Sequence, residues 1–111
     1  MSSRIEAFKQ LLEAQPEDAM IWYGLANEYI KLAQWPEAAE ALRNVMRFNP
    51  DYTAAYQMLG SVLLSQGLRD EARTIWQNGL EVARRIGAEK AAQHLAGLLA
   101  SSSSEHNGFC Q

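Results

Sequence analysis

Between Trp22 and Pro50 the chain reads "WYGLANEYIKLAQWPEAAEALRNVMRFNP", and from Tyr56 to Trp76 it reads "YQMLGSVLLSQGLRDEARTIW". In the first stretch Trp22, Leu25, Ala26 and Tyr29 stand one and two turns apart, the spacing of one helix face. Pro36 suits the first turn of a following helix, whose inward side would carry Ala38, Leu42 and Val45 before "FNPD" closes it. Moving the chain against itself by 34 residues (56 − 22) lays Trp22 on Tyr56, Leu25 on Leu59 and Ala26 on Gly60. The same shift lays Glu37-Ala38 on Glu71-Ala72 and Leu42 on Trp76. Aromatic meets aromatic and small meets small, so the two stretches are one unit written twice.

Outward from this pair the pattern stays helical. Ser2 or Ser3 can cap a first helix with Ile5, Phe8, Leu11 and Leu12 on one face, ending before Pro16 because the residue ahead of proline is pushed out of the helical region. Asp18 can cap the second helix, which should end near Ala33. A fourth helix follows Asp51 and ends at Gly67. A fifth runs from Asp70 to about Ile86, and a sixth from Ala88 to Ala100. "SSSSEHNGFCQ" has no periodicity and is expected to be without order. Connections of two to five residues make consecutive helices antiparallel. The expected organisation is therefore all-α: an N-terminal helix over 1–17, repeats over 18–52 and 53–86, a capping helix over 87–100 and a disordered tail over 101–111.

A 34-residue unit of two helices resembles the tetratricopeptide repeat, whose pattern is W-x2-L-G-x2-Y…A-x3-F…P. The first unit supplies Trp22, Leu25, Ala26, Tyr29, Ala38, Leu42, Val45 and Pro50; the second supplies Tyr56, Leu59, Gly60, Leu63, Ala72, Trp76 and Gly79, with no final proline. Backwards, Phe8, Leu11 and Pro16 fall on Leu42, Val45 and Pro50, so the first helix looks like the second half of a truncated unit. Small residues let paired helices approach and large ones reach the next hairpin. One hairpin cannot bury its own apolar face, so units stack. The resemblance implies a curved solenoid of about six helices. Gly79 and Arg84 stand where the first unit has Val45 and Pro50, so the fifth helix should be longer with a different exit.

On this reading Trp22, Tyr29, Tyr56 and Trp76 are framework. Trp35 is the aromatic left over, either covering the hairpin end or making a contact. The resemblance also implies a concave groove, lined by the first helix of each pair, that accepts peptide segments. Tyr23, Asn27, Ile30 and Lys31 share the helix face turned away from Trp22, Leu25 and Tyr29. Together with Gln57, Ser61 and Leu64 they are the candidate groove residues. The family's carboxylate clamp, which grips chaperone C-termini, needs lysine, arginine and asparagine where this chain has Tyr23, Asn27, Met58, Ala88 and Ala92. Only Asn27 fits, so an uncharged extended peptide or an amphipathic helix is the expected ligand.

The totals agree. The chain has 111 residues, 48% hydrophobic and 21% charged, with a net charge of −3. Arg84-Arg85 is the one adjacent basic pair, against the basic stripe of a nucleic-acid binder. No run approaches the ~18 apolar residues of a membrane span. The charged opening "MSSRIEAFKQ" is unlike a signal peptide, and the sole cysteine, Cys110, permits no internal disulfide. A cytoplasmic location is expected. His94 has no second ligand at metal spacing, His106 and Cys110 do not close a site, and no phosphate loop or nucleophile elbow occurs. Neither metal nor cofactor nor catalysis is expected. The functional expectation is a non-enzymatic interaction module that binds a protein or peptide, with a self-associating structural unit, or a subunit of a larger complex without peptide binding, as the alternative.

Overall fold

Among the described residues six helices account for the architecture: α1 (Ser2–Ala14), α2 (Ala19–Lys31), α3 (Trp35–Phe48), α4 (Thr53–Ser65), α5 (Arg69–Ile86) and α6 (Glu89–Cys110). The structure is a computed structural model that describes the backbone of residues 2–110 and the side chains of residues 4–102. Each helix packs antiparallel on its neighbour in sequence, and α4 also reaches α6. Two hairpins, α2–α3 and α4–α5, thus stack in register, with α1 and α6 as half units at the two ends.

Local chemistry sets the boundaries. α1 ends at Ala14, two residues before Pro16. Asp18 caps α2 by accepting from the amides of Met20 (2.9 Å) and Ile21 (3.4 Å). The turns inside the two repeats are built alike, each closed by an amide bonded five residues back: Gln34 to the Tyr29 carbonyl and Leu68 to the Leu63 carbonyl, both 2.9 Å. This closure needs a left-handed residue, supplied by Gly67 at φ 81° and, at the equivalent place in the first repeat, by Ala33 at φ 55°. α5 is longer than α3, 18 residues against 14, and ends on left-handed Gly87.

The core is the repeated set. Leu25, Ala26, Ala38, Leu42 and Val45 in the first unit and Leu59, Gly60, Leu63, Ala72 and Trp76 in the second are buried. Each fully buried leucine contributes roughly 1.5–3 kcal/mol. Small residues mark the closest crossings. A Cβ on Gly60 would fall inside the Trp76 indole, and one on Gly79 would lie 2.6 Å from Tyr56 Cβ. A Cβ on Gly24 would lie 2.6 Å from the Phe8 ring, so α1 docks through the same device.

Three expectations need correction. Leu11 does not join the α1 face with Ile5 and Leu12 but is 50% exposed, because the described residues pack α1 against α2 alone and leave that side uncovered. Trp22 is only half-buried, its indole donating to the Pro16 carbonyl at 2.9 Å. The sixth helix does not stop at Ala100, and no structureless tail begins at residue 101, since the helix continues to Cys110. Arg73 of α5 provides the reason at the junction, bonding both the Leu99 carbonyl and the Ser102 hydroxyl. Ser102 in turn donates to the Leu99 carbonyl at 3.0 Å and is buried. The side chains of His106 and Cys110 lie outside the described residues.

Candidate functional site

The first helices of the two repeats, α2 and α4, share one face with α6, and a cavity of about 310 Å³ opens on it. Ile30 reaches it from α2; Gln57, Ser61 and Ser65 line it from α4; His94 enters from α6. Trp35 closes one end from the start of α3. Ile30, Gln57 and Trp35 are half-buried, whereas Ser61 and His94 are exposed. Met58 and Val62, also on α4, add apolar surface beside the neutral polar row.

The helical spacing of α4 explains the polar row. Gln57, Ser61 and Ser65 recur every four residues, one turn apart, on the side away from buried Leu59 and Leu63. The Ser61 hydroxyl donates to the Gln57 carbonyl at 3.2 Å, and the same carbonyl accepts from the Trp76 indole at 3.2 Å. That backbone carbonyl is satisfied from the core, while the Gln57 side-chain amide remains able to donate and accept.

The other candidates sit elsewhere. Tyr23 is half-buried and stacks edge-on against Tyr52, with ring centroids 5.0 Å apart at 79°. Burial, and secondarily Tyr23, push the Tyr52 hydroxyl pKa up. Lys31 turns back along α2 to Glu28 at 3.2 Å, and Arg4 of α1 reaches the same carboxyl at 3.0 Å. Burial pushes the Glu28 carboxyl up, but the Lys31 hydrogen bond and the charges of Arg4 and Lys31 outweigh it and leave the pKa lowered. Asn27 is half-buried and Leu64 is 40% exposed, neither of them lining the cavity. Trp35 and His94 had no signal as a pair, because they lie 59 residues apart (94 − 35) and meet only through stacking. Among the described residues no group of three or more His, Cys, Asp or Glu could hold a metal, and no helix is long and apolar enough to cross a membrane.

With this geometry in view, the likeness to known proteins can be placed. A family model described as tetratricopeptide repeat matches residues 23–89. A TPR repeat-containing protein of Pseudomonas aeruginosa is 28% identical over 91 residues, covering 82% of this chain and 87% of that protein. The solution structure of protein BPP2914 from Bordetella parapertussis has a TM-score of 0.80 at 28% identity, covering 95% of this chain and 91% of that one. The TPR2B domain of yeast Sti1, solved in a complex with pHsp70, has a TM-score of 0.82 at 18% identity, covering 91% and 81%, a likeness of fold. The matched model spans both repeats and the turns between their helices, and the chain belongs to the tetratricopeptide repeat family.

Proposed function

We propose that this protein is a non-enzymatic interaction module that holds an uncharged, apolar-anchored peptide segment against α2, α4 and α6. One observation carries the reading: the cavity between these helices pairs Ile30, Trp35, Met58 and Val62 with the neutral Gln57, Ser61 and Ser65, and contains no lysine, arginine or carboxylate. Apolar side chains of a ligand would enter beside Trp35, and its backbone amides would meet Gln57 and the serines. Tyr23, Asn27, Lys31 and Leu64 extend the proposed surface at its margins. The TPR2B domain of Sti1 offers a precedent for a tetratricopeptide fold in a complex, though a clamp for a charged terminus is not reproduced at Met58, Ala88 and Ala92. Ser61→Arg adds bulk and charge at an exposed helical position, so it should abolish capture of neutral peptides and leave the melting temperature within about 3 °C, in line with an ordinary surface substitution. Capture that survives Ser61→Arg sinks the reading.

The exposure of Leu11 (50%) and Met20 (59%) favours a second reading, a self-associating unit. Light scattering over a range of concentrations separates the two: a mass that never rises above one chain removes the second.

A further inference from the structure

The opposite face carries a different kind of opening. α1 and α3 stand on either side of α2 and leave a trough of about 360 Å³ whose floor is Trp22, Leu25 and Tyr29. A second cavity, of about 550 Å³, adjoins it and shares Lys9, Tyr29 and Glu37, so the trough runs on along α2 toward the exposed Leu32. Its walls are acidic on both sides. Glu6 and Glu13 stand on α1, Glu37 and Glu40 on α3, and Lys9 is the one basic residue of either cavity. All four glutamates are exposed, and no described ion pair engages them.

The second repeat shows that the opening recurs with the fold but its lining does not. The equivalent cavity between α3 and α5 places Arg43, Leu63, Glu71, Thr74 and Ile75 where the first has Lys9, Tyr29, Glu37, Glu40 and Ala41, each 34 residues on. Ile75 fills space that Ala41 leaves, Tyr56 is buried where Trp22 is half open, and although Asp70 and Glu71 keep two carboxylates on the α5 wall, the α3 wall contributes Arg43 and no acid. The first repeat alone combines an aromatic floor with paired acidic walls.

We propose that this trough is a second binding site, for a peptide segment that carries a bulky apolar or aromatic side chain flanked by lysines or arginines. The anchor would lie over Trp22 and Tyr29 and shed water from apolar surface, while the flanking cations face Glu13 on one wall and Glu37 and Glu40 on the other. Four carboxylates against one amine repel an acidic partner and bring a basic one in faster. The site is independent of the cavity on α2, α4 and α6, which has no charged lysine, arginine or carboxylate.

The three tryptophans make the test local. ¹⁵N-labelled protein is titrated with three synthetic peptides that share a Phe-Leu centre and are flanked by lysines, serines or glutamates. The lysine peptide should shift the Trp22 indole resonance and leave Trp35 unmoved, with affinity at least fivefold above the serine peptide and falling as salt is raised. Glu37→Gln/Glu40→Gln should weaken it at least fivefold, whereas Glu81→Gln/Glu89→Gln, which removes the same charge elsewhere, should weaken it less than twofold. Equal binding of the three peptides, equal loss in the two double variants, or a shift at Trp35 in place of Trp22 would overturn the proposal. A mass that doubles with concentration and reverts in Glu37→Gln/Glu40→Gln would also overturn it, showing that a second copy fills the trough. Failure here leaves the neutral-peptide reading standing, because that reading is scored at Trp35.

Discussion

The two repeats solve one packing problem with different side chains. In the first, Ala26 and Leu42 hold the places that Gly60 and Trp76 hold in the second, and all four are buried. The second repeat removes a methyl group from α4 so that an indole can lie against the backbone, with its N–H bonded to the Gln57 carbonyl. The first keeps a smaller pair and leaves its own tryptophan, Trp22, half open on the outer side. The same framework therefore yields an outer cavity of about 300 Å³ with an aliphatic lining at α5 and one of about 360 Å³ with an aromatic floor at α3. What varies between units of a repeat is how much apolar surface is left for something else.

Truncating the shared framework should have the largest effect. Leu25→Ala and Leu59→Ala each remove a buried leucine and should cost about 2–5 kcal/mol in urea unfolding. A loss below about 1 kcal/mol in either would break the equivalence of the two positions.

Next comes the pair that differs. Gly60→Ala should cost about 1–3 kcal/mol through overpacking against Trp76. Adding Trp76→Leu, which copies the first unit's pair, should recover part of that loss. A double-mutant cycle with no coupling would mean that the indole and the missing methyl are unrelated.

The turns predict a smaller change. Ala33 holds a left-handed conformation (φ 55°) that costs a non-glycine residue about 1–2 kcal/mol, so Ala33→Gly should stabilise by about 0.5–1 kcal/mol after the added chain entropy of glycine. Gly67→Ala should destabilise. If both substitutions moved the melting temperature the same way, the two turns would not be alike.

The smallest effect lies at α1. Glu28 bonds Arg4 of α1 and has a lowered pKa. A carboxyl with a depressed folded pKa contributes stability above its unfolded value of about 4.3 and loses it as pH falls through the folded value. Glu28→Gln should therefore melt below the parent at pH 7, and the gap should close toward pH 3.

Much of this was legible in the sequence because framework residues announce themselves by period. Leu25 and Leu59, Ala38 and Ala72, and the Asp18 cap all follow from spacing and propensity alone. Leu11 was misplaced because its repeat partner Val45 is buried in the stack, whereas no described helix covers Leu11. The continuation of α6 was invisible because what holds Ser102 is Arg73, 29 residues away, rather than an apolar stripe. The candidate site was legible on α4, where Gln57 and Ser61 sit one turn apart, but not at Tyr23 or Lys31. Their partners, Tyr52 and Glu28, are side-chain choices that helical periodicity does not encode. Trp35 and His94 come together only once both hairpins and α6 are stacked.

The central claim is that the face made by α2, α4 and α6 is free to hold a neutral peptide. Its most direct measurement is the Trp35 indole resonance during titration with a panel of short, capped, uncharged peptides centred on leucine or phenylalanine. The account predicts a saturable shift at Trp35 with Trp22 unchanged, abolished by Ser61→Arg. A Trp35 signal that stays still across the panel, or one that still saturates in Ser61→Arg, would contradict it.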